Sequence, residues 1–146
     1  MKHKKLDDIL NVIFDFAKSN NQILAVGLCG SWARGTPGPD SDIDLSIIVE
    51  DKNQFKKTNW LDDLEFEKIN EELDYYKDEV YGRVWSRHIF LKNKIEIEFS
   101  FAKRFWADVD NLDEGTIKVV EDGYRILYDP LNILNNLVSR VINFPK

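Results

Sequence analysis

Two short runs constrain this chain more than any other part of it: Gly30-Ser31-Trp32-Ala33-Arg34-Gly35 and Ser41-Asp42-Ile43-Asp44-Leu45, joined by Thr36-Pro37-Gly38-Pro39-Asp40. An apolar run, 23–29, feeds into them and another, 45–49, leaves them. The layout is strand, Gly-Ser turn, loop, strand, with Gly and Pro forcing the loop. Asp42 and Asp44 stand at the head of the second strand. Strand side chains alternate faces, so both carboxylates point to one side. Such a pair, with nothing basic between, repels unless a divalent cation sits there, and hard oxygen ligands suit Mg²⁺. The Gly-Ser turn offers main-chain N–H groups and a hydroxyl, equipment for holding a phosphate. A phosphate grip beside carboxylate metal ligands points to phosphoryl or nucleotidyl transfer.

At 146 residues the chain has the length of one domain, and a single domain over 1–146 is expected. Its apolar residues, 43% of the total, run through its whole length, enough for a core and too many for disorder. The net charge of −6 weighs against a long nucleic-acid partner, because such affinity comes mainly from Lys and Arg neutralising phosphates. The lone cysteine, Cys29, cannot form a disulfide within the chain, which fits a reducing compartment; it is expected as a small core residue. No stretch has the apolar length of a membrane span, and residues 1–5 lead into Asp7 and Asp8 rather than a signal sequence. A soluble cytoplasmic protein without a membrane partner is expected.

Along the chain, 6–18 has Leu6, Ile9, Leu10, Ile13, Phe14 and Ala17 at helical spacing, with Asp7 and Asp8 suited to its first turn. A short helix through Ala33 and Arg34 ends at Gly35. In the second strand Ile43, Leu45, Ile47 and Val49 share the face opposite Asp42 and Asp44. Residues 50–59 show no period. Residues 60–76 read as a helix with Leu61, Leu64, Ile69, Leu73 and Tyr76 on one stripe and a solvated acidic face. Two strands, 84–91 and 95–101, are joined by Lys92-Asn93-Lys94, a hairpin signal. Ile95, Ile97, Phe99 and Phe101 share one face of the second, and Glu96, Glu98 and Ser100 the other. A short helix over 103–109, another over 114–121 closed by Asp122-Gly123, and a strand over 124–128 follow. Asp129-Pro130 reads as an N-cap with proline at the first helical position. The last helix then places Leu131, Leu134, Leu137, Val138, Val141 and Ile142 on one face. His3 and His88 lack a second His or Cys at zinc-ligand spacing and read as ordinary residues. Trp32 is expected at the mouth of the site and the other tryptophans in core or cleft wall.

The pattern Gly-Ser, Arg-Gly, short loop, Ser-Asp-x-Asp-Leu, complete from Gly30 to Leu45, resembles the signature of the nucleotidyltransferase superfamily, with its DNA-polymerase-β-like fold. The run Arg125-Ile126-Leu127-Tyr128-Asp129-Pro130 also recurs in small members. The likeness covers most of the chain, though only 30–45 is specific. It implies an α+β (α/β) fold: a mixed sheet with helices packed mainly on one face. It also implies a third carboxylate from a strand such as 95–101, namely Glu98, with Glu96 as the fallback; most relatives carry Asp there. Asp42, Asp44 and Glu98 would then be both catalytic and metal-binding, in a two-metal arrangement of Mg²⁺ (or Mn²⁺). Gly30, Ser31, Arg34 and Ser41 would bind the nucleotide, although Arg34 could equally pair with Asp40 and brace the loop. Arg83, Arg87 and Lys103 are weaker candidates for phosphate or acceptor contacts.

The donor implied is ATP or another NTP, and the reaction is transfer of AMP, or another NMP, to a hydroxyl. Antibiotic nucleotidyltransferases carry a helical domain after the catalytic one, and none is expected here. Minimal nucleotidyltransferase antitoxins are single domains that adenylylate a HEPN-type partner protein, but their third carboxylate usually follows sooner. The leading expectation is therefore an enzyme that adenylylates a small hydroxyl-bearing, aminoglycoside-like molecule, as a homodimer with a shared acceptor cleft. The antitoxin stands second, and a non-catalytic nucleotide-binding module third.

Overall fold

A computed structural model of the protein describes residues 3–38, 41–82 and 84–143. Helix α1 (His3–Ser19) leads into strand β1 (Ile23–Cys29), then the short α2 (Gly30–Arg34) and β2 (Ile43–Val49). Next come α3 (Lys52–Lys57), two 3-10 turns (Trp60–Asp63 and Phe66–Ile69), and strands β3 (Leu73–Tyr81), β4 (Val84–Leu91) and β5 (Glu96–Lys103). A 3-10 turn (Arg104–Ala107), α4 (Glu114–Glu121), β6 (Tyr124–Tyr128) and α5 (Ile133–Ile142) are the last elements among the described residues. The six strands form one mixed sheet in the order β3-β4-β5-β2-β1-β6, antiparallel except for the parallel β2–β5 pair.

The larger core lies on one face of this sheet. Ile43, Leu45, Ile47 and Val49 of β2 and Ile97, Phe99 and Phe101 of β5 meet α1, Phe55 and Trp60 there. Strand alternation sends Ile48 and Ala102 through to the opposite face, where they pack with Val120 of α4 and Leu134, Leu137 and Val141 of α5. This smaller layer covers only part of its face and leaves Asp44 and Glu98 outside it.

Four segments differ from their sequence reading, the first being 103–109, where Lys103 ends β5 and only a 3-10 turn over Arg104–Ala107 forms in place of a helix. Residues 52–57 form a helix that no period announced, because only Phe55 is buried on it; the Asp51 carboxylate caps it by accepting from Asn53 N–H at 3.0 Å. Residues 60–76 do not form a helix. Two 3-10 turns bury Trp60, Leu61 and Phe66, Asn70 turns left-handed at φ 59°, and the chain then enters β3. Its Tyr- and Val-bearing sequence pairs along β4 from Leu73↔Leu91 to Tyr81↔Val84, and that ladder overrides the helical spacing. Helix α5 starts three residues beyond Pro130: Asn132 takes φ 58°, and the Asp129 carboxylate accepts from Asn135 N–H at 2.7 Å. Leu131 consequently lies ahead of the helix, 52% exposed, while Ile142, the last helical residue, is 72% exposed.

Gly27 in β1 leaves the space that the Tyr124 ring occupies; a Cβ there would collide with that ring. The Tyr124 hydroxyl is hydrogen-bonded to Ser46, and burial pushes its pKa up, so it stays protonated. Gly27→Ala is expected to cost about 2 kcal/mol, the usual scale of overpacking. Urea unfolding midpoints of the two proteins check this; equal stability would mean that the ring is not locked against β1.

Candidate active site

The sheet register assembles the site. Asp44 is opposite Cys29 on β1 and Glu98 on β5, and Glu98 is opposite His88 on β4. Cys29, Asp44, Glu98 and His88 thus form one row across four strands. Asp42 sits just before β2. One carboxylate oxygen from each of Asp42, Asp44 and Glu98 lies within 4.8 Å of the others.

Loop chemistry holds Asp42 and Asp44 in place. Trp32 of α2 is buried and its indole N–H donates to the Ser41 carbonyl at 3.3 Å, pinning the head of β2. The Ser41 hydroxyl accepts from Gly38 N–H at 2.7 Å, and Ser41 N–H donates to the Gly38 carbonyl at 3.3 Å. Gly30 must be glycine on two grounds. Its φ is 74°, and a Cβ would stand 2.9 Å from Asp44 Oδ2. Gly35 ends α2 with φ 76°, as a glycine stop should.

The electrostatics suit a cation. Burial first, then the charges of Asp42 and Glu98, push the Asp44 pKa up to about 8. Asp44 Oδ1 is buried without a hydrogen-bond partner. An orphaned carboxylate oxygen facing two more carboxylates matches the hard-oxygen donor set of Mg²⁺. Beside it opens a cleft of about 350 Å³, lined by Gly30, Asp44, Ser46, Tyr81, Glu98 and Trp106 among others.

A family model, described as a nucleotidyltransferase domain, matches residues 10–110, a span that contains the Gly30 turn and all three carboxylates. The chain belongs to the nucleotidyltransferase family. Two solved structures share the fold. One is an aminoglycoside 6-adenyltransferase from Bacillus subtilis, 17% identical with a TM-score of 0.52, covering 68% of this chain and 35% of its own. The other is a cytoplasmic RNA terminal U-transferase, 13% identical with a TM-score of 0.50, covering 81% of this chain and 31% of its own. This nucleotidyltransferase chain therefore spans about a third of the length of the solved structures it matches. A comparison with curated protein sequences finds no match.

The remaining candidates fall in different places. Arg34 lines the cleft, but its guanidinium donates to the Asp122 carbonyl at 2.6 Å and to Thr36 Oγ1 at 3.4 Å, tying α2 to the end of α4. Asp40, its alternative partner, and Arg83 lie outside the described residues. Arg87 is buried on the other face of the sheet. It makes a two-pronged ion pair with Asp78 at 2.8 and 3.1 Å, under the Tyr76 ring, and serves packing rather than phosphate contact. Lys103 is exposed at the end of β5 away from the acids. Trp32 is a brace in the core rather than the mouth of the cleft. Cys29, expected in the core, lines the cleft beside Asp44, and burial pushes its thiol pKa up to about 12. That thiol is a neutral wall group.

His88 is the residue the sequence reading passed over. Its Nδ1 is 3.0 Å from Glu96 Oε2, and its Nε2 faces Glu98 Oε2 at 3.5 Å. Glu96 is thereby drawn to the imidazole while Glu98 faces the aspartates. The signal was present in the hairpin: a short link over 92–94 puts residue 88 opposite residue 98.

Among the described residues, no helix is long and apolar enough to cross a membrane.

Proposed function

We propose that this nucleotidyltransferase moves AMP from ATP to a hydroxyl of a small molecule, with Asp42, Asp44 and Glu98 as metal-binding and catalytic residues. The observation that carries the reading is the meeting of these three carboxylates beside the Gly30 turn, with an Asp44 oxygen left unpartnered. Mg²⁺ held there supplies charge neutralisation for the triphosphate and lowers the pKa of the acceptor hydroxyl. Ser31 and the main-chain N–H groups after Gly30 hold the outer phosphates. Ser41 acts through the loop it closes, keeping Asp42 at the head of β2. Arg34 adds positive charge at the cleft wall. Glu98 stands where it can take the acceptor proton. The acceptor oxygen bonds to the α-phosphorus as the bond to pyrophosphate breaks, and positioning with charge neutralisation does most of the work.

An acidic protein attracts cationic acceptors better than polyanions, which favours an aminoglycoside-like polyhydroxyl amine over RNA. The test is incubation with α-labelled ATP, Mg²⁺ and a panel of hydroxyl-bearing metabolites and aminoglycosides. Label is expected in a small molecule, with pyrophosphate released. Label on a co-purifying protein would instead support a protein acceptor of the antitoxin type. In calorimetric titrations Mg²⁺-ATP is expected to bind more tightly than Mg²⁺-GTP. Failure to bind any nucleotide with Mg²⁺ or Mn²⁺ would defeat the enzymatic reading altogether.

A further inference from the structure

Strand β3 is an outer strand of the sheet, nine residues long, and carries exposed Tyr75, Tyr76, Val80 and Tyr81 at 47%, 48%, 69% and 49% exposure. A long outer strand with apolar side chains is a template for another strand, and proteins usually blunt such edges with charge. Here the charges select a partner instead. We propose that two copies of this chain pair edge to edge through antiparallel β3 strands, about a twofold axis at Asp78.

The register follows from symmetry. A twofold axis perpendicular to the sheet keeps each face continuous, so a residue pairs only with residues of its own face. Centred on Lys77, the pairing sets lysine against lysine. Centred on Glu79, it sets glutamate against glutamate, and centred on Tyr76 it sets Asp74 against the partner's Asp78. Centred on Asp78, Lys77 faces the partner's Glu79, Tyr76 faces the partner's Val80, and Tyr75 faces the partner's Tyr81, each pair occurring twice. Opposite-charge and aromatic cross-strand pairs are the units that stabilise antiparallel sheets. The two central aspartates are each neutralised within their own chain by Arg87.

The side chains are already set for this. Tyr75 stacks on Phe90 with ring centroids 4.4 Å apart, Tyr76 lies against the Arg87 guanidinium, and Glu79, half exposed, accepts from the Tyr81 hydroxyl. Tyr81 lines the cleft, so the partner's Tyr75 would stand at the cleft rim, and each copy would contribute to the other's acceptor entrance. Pairing of this kind needs no assumption about the chemistry inside the cleft.

The test is light scattering of the intact chain during size-exclusion chromatography over a range of concentrations. The expected mass is twice the 17.1 kDa of one chain. Lys77→Glu and Glu79→Lys, each alone, should weaken the dimer about tenfold or more by setting like charges opposite one another. Combined, K77E and E79K exchange the charges and should restore it. Far-UV circular dichroism and melting curves confirm that each variant is folded. A folded wild type that stays monomeric overturns the proposal, and so does a dimer that neither single reversal weakens or that the double exchange fails to restore.

Discussion

Asp44→Asn is expected to lower nucleotidyl transfer about a thousandfold or more, with the loss in kcat rather than in acceptor KM. Asp44 is the carboxylate with the least alternative employment: its Oδ1 is buried and unpartnered, and Gly30 is shaped to let it approach. Asparagine keeps the volume but replaces one oxygen by an N–H₂ donor, which cannot ligate Mg²⁺. Glu98→Gln should have an effect of the same order. Glu96→Gln is the internal control, because Glu96 bonds to His88 Nδ1 and lies outside the group of three converging acids. It is expected to keep transfer within about tenfold of the wild type, the loss of a positioning contact rather than a ligand. The measurement is release of pyrophosphate and label transfer at saturating Mg²⁺-ATP. An Asp44→Asn enzyme that keeps its kcat would remove Asp44 from the chemistry, and a Glu96→Gln enzyme as inactive as Glu98→Gln would reopen the choice between the two glutamates.

The placement of these acids was legible because it depends on local rules. Alternation along β2 put Asp42 and Asp44 on one side, and alternation along β5 put Glu98 with Glu96 and Ser100 against the aliphatic face. What alternation could not supply was the parallel β2–β5 pairing, which sets Asp44 opposite Glu98 and closes over a long intervening segment. The family likeness supplied a third carboxylate from the 95–101 strand, Glu98, but not the pairing that brings it to Asp44. The intervening segment is where the reading failed. Residues 60–76 offer apolar spacing compatible with a helix, yet Trp60, Leu61, Leu64 and Phe66 are buried by 3-10 turns, and β3 exists because β4 pairs with it. Burial of an isolated side chain such as Phe55 leaves no period to detect, and α3 was missed for that reason. Arg87 was misplaced because its partners, Asp78 and the Tyr76 ring, come from the strand that had been read as partly helical.

Stability without metal should also report on Asp44. Its carboxyl is shifted from an ordinary value of 3.8 to about 8 in the folded protein, by burial and by the neighbouring Asp42 and Glu98 charges. A raised folded pKa means that the native state binds a proton more tightly than the unfolded chain. The favourable contribution is complete below about pH 4 and is lost as pH rises through the window to about pH 8. The informative quantity is the difference between Asp44→Asn and the wild type at each pH, because every other ionisable group is common to the two proteins. In EDTA at pH 8 the variant is expected to be the more stable by about 1 kcal/mol, or about 3 °C in Tm, because asparagine carries no charge into the cluster. That advantage should shrink as pH falls from 8 toward 4, because Asp44 takes up its proton in the folded protein over that range. Mg²⁺ with ATP should reverse the order. At a hundredfold excess over Kd, ligand adds about 2.7 kcal/mol to the wild type and much less to a variant lacking a metal ligand. Thermal melts at pH 5, 6, 7 and 8, with EDTA and with Mg²⁺-ATP, give both comparisons. If Asp44→Asn melts lower than wild type at pH 8 in EDTA, the aspartate is satisfied by internal bonds and the cluster is not a strained, cation-seeking site. If the variant gains as much from Mg²⁺-ATP as the wild type, Asp44 does not hold the metal, and the assignment of the carboxylates falls with it.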